Sequence, residues 1–176
     1  MLKYINLLFL TVLFVSCGST RVVYDYDDTQ DFTKYQTFGF YPDLATGLSE
    51  LDEERLLELT KSVLQAKGFE FSENPDVYIN FNTATFKRAS NNSIGVGVGS
   101  GGGAVNVGVG GAIPIGGPVT YLELTVDLVD AKENDLKWQA IAEQKFNQGA
   151  SPNTKKQIFE RLLLKIFKKY PPTRNE

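Results

Sequence analysis

The chain has 176 residues, 18 of them Lys or Arg and 21 Asp or Glu, for a formal net charge of −3, with no histidine and one cysteine. That charge is too small and too mixed for a nucleic-acid surface, which needs clustered Lys and Arg, or for adhesion to anionic lipid by net charge alone. Without histidine, Ser–His and Cys–His nucleophile pairs and histidine-ligated zinc are excluded, and a single cysteine leaves no disulfide within the chain.

Lys3 precedes a run, Tyr4–Val15, that is apolar apart from Asn6 and Thr11 and ends at the small Ser16. This is the layout of a secretory signal peptide over residues 1–16. As a membrane span it is too short, since a crossing helix takes about 17–25 apolar residues. The stretch Phe14-Val15-Ser16-Cys17 resembles a bacterial lipobox, in which a peptidase cuts just before a cysteine whose sulfur carries diacylglycerol. That pattern usually has leucine three residues before the cysteine; Phe14 stands there, and Leu13 is one further back. Acylation removes a thiol that would otherwise oxidise in an exported compartment, and each buried methylene of an acyl chain contributes about 0.8 kcal/mol to anchoring. Cys17 is therefore the expected lipidation site, with residues 17–21 as the tether. Loss of Lys3 leaves 17 basic and 21 acidic residues, a net of −4.

The remaining residues, about 160, suit one domain with its own core, expected over 22–172. "RVVYDYDD" alternates, with Val22, Tyr24 and Tyr26 on one side and Val23, Asp25 and Asp27 on the other, as a half-buried strand does. A second strand is expected at Gln36–Tyr41. A helix follows: Ser49 can cap it, Asp52, Glu53 and Glu54 sit in its first turn, and Gly68 ends it. Its apolar stripe is Leu56, Leu59 or Thr60, Val63 and Ala66, widened by Leu57 and Leu64. "VYINFNTATF" alternates again, Val77, Ile79 and Phe81 against Tyr78, Asn80 and Asn82.

Two later strands put Leu122, Leu124, Val126 and Leu128, then Leu136, Trp138, Ala140 and Ala142, on one side each, and the turn-forming "AKENDL" between them predicts a hairpin. Ser151-Pro152 opens a last helix, with serine at the cap and proline at the first position. Ile158, Phe159, Leu162, Leu163, Ile166 and Tyr170 form its apolar face, and Pro171-Pro172 stop it. The pattern predicts an α+β fold, a mostly antiparallel sheet with two helices on one face and a glycine-rich insert loop.

That insert, Gly95–Gly117, holds 11 of the 16 glycines and no charge. Gly97, Gly99 and Gly102 satisfy G-x-G-x-x-G, but a dinucleotide site needs a helix immediately after, and "AVNVGVGG" alternates like a strand instead. No cofactor is expected. A glycine-faced hairpin, with Ile94, Val96 and Val98 opposing the later valines, and a flexible loop both fit, and the ordering cost of glycine favours a loop or a poorly ordered hairpin. The uncharged ribbon is also a candidate contact surface for membrane or an envelope protein.

Only carboxylate chemistry survives the inventory. Asp25, Asp27, Asp28 and Asp31 are the acidic cluster that could hold calcium, but the glycine and terminal glutamate of an EF-hand loop are missing, so they read as solvated strand-end acids. Asp127, Asp130 and Asp135 read as the polar face of a strand and its turn. No catalytic, cofactor-binding or metal residue is assigned.

"YDYDDTQDFTKYQTFGFYP", "NPDVYINFN" and "LTVDLVDAKENDLKWQAIAEQKF", in that order, resemble the domain-of-unknown-function 4136 lipoproteins, common in envelopes of Gram-negative bacteria including the Bacteroidetes. The carrying residues are Tyr24–Asp27, Phe32, Tyr35, Thr37-Phe38, Pro75-Asp76 and Trp138. The resemblance implies an α+β domain tethered to a membrane from the periplasmic side, with no established activity and no site residues to carry over. The expectation is a lipid-anchored module of the outer membrane that binds another envelope component without catalysis. Gly18-Ser19 lack the acidic run associated with surface export, so a periplasmic orientation is expected. The alternative is a carboxylate-dependent glycan hydrolase, which needs two acids about 5–9.5 Å apart in one cleft.

Overall fold

In the computed structural model, which describes residues 20–89, 93–96, 111–114 and 117–172, the alternating segments become strands β1 (Arg21–Tyr26), β2 (Thr37–Phe40), β3 (Glu70–Phe71), β4 (Val77–Arg88), β7 (Val119–Asp130) and β8 (Leu136–Lys145). They form one sheet in the order β1-β8-β7-β4-β2-β3. The fold is α+β, and the sheet is mixed. β1, β8, β7 and β4 pair antiparallel, while β2 runs parallel to both β4 and β3. The parallel step arises because α1 (Glu50–Gln65) and the short β3 intervene between β2 and β4, and a crossover of that length permits parallel pairing where a tight hairpin does not.

One face of the sheet carries the core. Val77, Ile79 and Phe81 of β4, Leu122 to Leu128 at even positions of β7, and Trp138, Ala140 and Ala142 of β8 are all buried. Against them lie Leu56, Leu59, Val63 and Leu64 of α1 and Ile158, Phe159, Leu162, Leu163, Ile166 and Phe167 of α2 (Pro152–Phe167), in one continuous cluster. The helices lie side by side. Lys155 Nζ, in the first turn of α2, meets Asp52 Oδ2 in the first turn of α1 at 2.6 Å, and Lys67 Nζ beyond the end of α1 donates to the Tyr170 carbonyl at 2.9 Å.

Three details depart from the sequence reading. Leu136 is 52% exposed and Lys137 is buried, because the register shifts between Leu128 and Val129, so that Trp138 pairs with Leu128 and Leu136 with Val129. Such a bulge sets one extra residue against the partner strand and turns the residue before it outward. Ala66 is exposed because α1 stops at Gln65. Ser49 stands at the N-cap but makes no bond to a helix N–H; its hydroxyl donates to Asp52 instead.

The ends of the glycine segment pair as a separate two-stranded sheet, β5 (Ser93–Val96) with β6 (Gly111–Pro114), and Ile94 faces Ile113 rather than a later valine. Gly97, Gly99 and Gly102, the valines 98 to 109, the leader and Cys17 lie outside the described residues.

Candidate functional site

The strand ends divide the molecule into a hairpin end, at the β7–β8 turn, and an insertion end, where β4 leaves and β7 returns. The hairpin end gathers acids. Asp130 is 4% exposed and shares parity with Leu122–Leu128, so it lies on the helix side of β7 rather than on the polar face expected for it. Its Oδ1 accepts from the Lys132 and Glu133 N–H groups, each at 2.9 Å, and its Oδ2 from the Tyr35 hydroxyl at 2.8 Å, with Lys34 Nζ at 3.5 Å. Burial pushes this carboxyl up, but the Glu133 N–H, the Tyr35 hydroxyl and the Lys132 N–H outweigh it and hold it below the usual range. Burial, with the Asp130 charge, drives the Tyr35 phenol far up, so it stays a donor.

Asp76 lines the same shallow cavity of about 280 Å³ as Asp130 and Glu133. The Gln36 and Thr37 N–H groups, at 3.0 and 2.9 Å, lead the interactions that hold Asp76 low as well. Asp76 and Asp130 therefore do share one pocket, with Glu133 beside them bridged to Lys137. Both aspartates are ionised at neutral pH and filled with donors, whereas a glycosidase needs one of its pair kept protonated by a raised pKa. These carboxylates pin turns and strand starts.

The first acidic cluster resolves similarly. Asp27 accepts from the Thr29 hydroxyl and N–H, and the Thr29 hydroxyl leads the interactions that lower its pKa. Asp31 accepts from Thr33 and caps a 3₁₀ turn over Phe32–Lys34. Asp127 is held on the open sheet face by the Gln139 and Asn80 amides, and Asp135 lies 3.9 Å from Lys137. Among the described residues no group of three or more Asp, Glu, Cys or His could hold a metal ion, and no helix is long and apolar enough to cross a membrane.

The insertion end holds the open space. A cavity of about 620 Å³ is lined by Thr85, Phe86 and Lys87 of β4, Val119 and Thr120 of β7, Lys145 at the end of β8 and Phe146 to Gln148 beyond it, with Thr154 and Ile158 of α2. A second, of about 300 Å³, shares Thr85, Phe146 and Gln148 with it and reaches Ser49, Asp52 and Lys155. In the first, the lining offers hydroxyls, side-chain amides, two lysines and aromatic edges, and no carboxylate. In the second, burial raises the Asp52 carboxyl but Lys155, Ser49 and Arg55 more than offset it, so Asp52 is an ionised strut between the two helix starts. This cleft was not legible in the sequence: its residues come from four elements, and none belongs to a motif.

The family model described as Domain of unknown function (DUF4136) matches residues 22–172, and the chain belongs to that family. No curated protein matches it. Among solved structures it is similar to a PDZ domain protein from Parabacteroides distasonis ATCC 8503, with a TM-score of 0.55 and 14% identity over 89% of this chain. This chain spans only 36% of that protein. It is also similar to the PelC dodecamer of Paraburkholderia phytofirmans, with a TM-score of 0.50 and 10% identity, over 85% of this chain and 95% of that one. At such identities the likeness is one of fold.

Proposed function

We propose that this member of the domain-of-unknown-function 4136 family is a lipid-anchored envelope protein, held by an acylated Cys17 on the periplasmic side of the outer membrane, that acts by binding rather than by catalysis. The anchor rests on the apolar run ending at Ser16-Cys17. The observation that carries the binding reading is the contrast between saturated acids at the hairpin end and the open, carboxylate-free cleft of about 620 Å³ at the insertion end. Lys87 and Lys145 with Thr85, Thr120, Asn147 and Gln148 suit a polar ligand bearing negative charge, because ammonium groups and amides form their strongest hydrogen bonds with anionic oxygens. The PelC relative is described as a dodecamer; a ring of copies is one way in which such clefts would be multiplied.

Metabolic labelling with a radioactive fatty acid tests the anchor. Label is expected on the wild-type chain and absent from Cys17→Ser; label persisting on the serine variant contradicts the assignment. For the binding half, Lys87→Ala combined with Lys145→Ala should abolish complementation of a deletion strain while leaving the melting temperature unchanged. Full complementation by that double variant would remove the cleft from the account. A hydrolase reading would instead gain support if Asp130→Asn lost function at a temperature where it is still folded.

A further inference from the structure

We propose that the insertion end of the sheet is the face that docks on the membrane, with Arg21, Lys87, Arg88, Lys145 and the Phe86–Tyr121 ring pair seated on anionic phospholipid headgroups. The inference rests on the acylated Cys17 proposed above and adds an orientation to it.

Register and chain length carry the argument. Arg21 pairs with Glu143 near the end of β8, Lys145 with Tyr121 at the start of β7, and Arg88 with Val119. The first residue of β1, the last of β8 and the two roots of the insertion thus lie at one end of the sheet. Three residues separate Cys17 from Arg21, a reach of at most roughly 14 Å from one to the other for extended chain. The Thr20 hydroxyl already bonds Gln144 at 2.5 Å, so the tether leaves from the β8 end. An acyl chain on Cys17 holds this end against the bilayer and the hairpin end, some ten residues along β8, away from it.

The surface presented there fits that partner. Arg21, Lys87, Arg88 and Lys145 are exposed. Arg88 stands 4.9 and 5.1 Å from the Phe86 and Tyr121 ring centres, and those rings stack at 5.8 Å. Half-buried rings beside cations are the composition that settles at headgroup depth, and an acyl chain with a basic patch is the two-signal arrangement that gives stable attachment. The acids at this level of the sheet are Glu123 and Glu143, and Arg88 is bridged to Glu143 at 2.8 Å. In the helix layer the first turn of α1 brings Glu50, Asp52, Glu53 and Glu54, of which Asp52 is taken by Arg55 and Lys155 and Glu53 by the Thr46 hydroxyl. The hairpin end presents Asp27, Glu133 and Asp135 around Lys137, with Lys34 and Lys132 beside Asp130, so the choice between the ends rests on the tether.

The test uses the full acylated chain in vesicles of phosphatidylethanolamine and phosphatidylglycerol, with a second cysteine carrying an environment-sensitive fluorophore. Gly117→Cys, exposed and with open space around its Cβ position, probes the insertion end, and Asp135→Cys probes the hairpin turn. Spin-labelled lipid should quench the label at 117 and leave that at 135 untouched. An acyl mass on Cys17 together with equal quenching at both positions, or stronger quenching at 135, overturns the orientation and leaves the anchor standing. An unmodified Cys17 overturns the anchor reading and this orientation with it. Replacing Arg21, Lys87, Arg88 and Lys145 by glutamine in the acylated Gly117→Cys chain should reduce quenching at 117; unchanged quenching would show that the cations are not part of the contact.

Discussion

The two ends of the sheet are built on opposite principles. At the hairpin end the acids are spent on the fold: Asp130 and Asp76 each gather three donors, and Trp138, Tyr170, Phe32 and Tyr35 lock ring against ring at centroid distances of 5.4 to 6.3 Å, with the Trp138 Nε1 and the Tyr170 hydroxyl buried without a hydrogen-bond partner. At the insertion end, lysines, hydroxyls and amides line open space. The difference teaches where to look for each role. The donor-saturated acids are gathered at the hairpin end, and the larger open cavity lies at the insertion end.

The contrast can be broken first at Trp138, which is fully buried and stacked on Phe167. Trp138→Ala should cost about 3–5 kcal/mol in a denaturant titration; an unchanged midpoint would show that the rings at the hairpin end do not hold the fold. Asp130→Ala strands the Tyr35 hydroxyl and two N–H groups and should cost about 3 kcal/mol, while Lys87→Ala in the cleft should stay within about 0.5 kcal/mol. Equal losses from those two substitutions would erase the distinction between the ends.

Acid sharpens the comparison further. Asp52, Asp76 and Asp130 have pKa values lowered in the folded state, so the unfolded chain binds protons first as pH falls. Their stabilising contribution is complete above the unfolded carboxyl value of about 4 and is lost as pH drops through the lower folded values. Stability measured against pH should therefore hold from neutral down to about pH 4 and fall below it. In Asp130→Ala, with one of the three groups gone, that fall should be shallower. An equally steep fall in the variant would assign the acid sensitivity elsewhere.

Much of this architecture was legible beforehand because strands buried on one face write themselves as alternation. Leu122–Leu128 and Trp138–Ala142 could be placed by parity alone, and the Ser151-Pro152 start of α2 by its capping chemistry, with Ser151 accepting from the Thr154 N–H. Asp130 shares the parity of Leu128, yet an acid at a strand end reads as solvent-facing; the Tyr35 hydroxyl that compensates it comes from a residue 95 positions away. Leu136 departs from the parity of its strand because a bulge resets it without any local mark. The parallel β2–β4 pairing depends on where a crossover returns, which no window of sequence contains. The cleft was hidden for the same reason, assembled as it is from strand ends and a helix start.

The central claim, that the glycine-rich insertion is dispensable to the six-stranded fold, is tested most directly by excision. β5 and β6 pair only with each other among the described strands, so replacing residues 93–117 by a short Gly-Ser turn removes no strand from the six-stranded sheet and shortens a loop whose closure cost changes only slowly with length. Urea unfolding of that variant should give the wild-type midpoint and slope, with a stability change below about 1 kcal/mol. A collapsed midpoint, or a product that aggregates instead of unfolding cooperatively, would contradict the claim and make the glycine segment part of the scaffold.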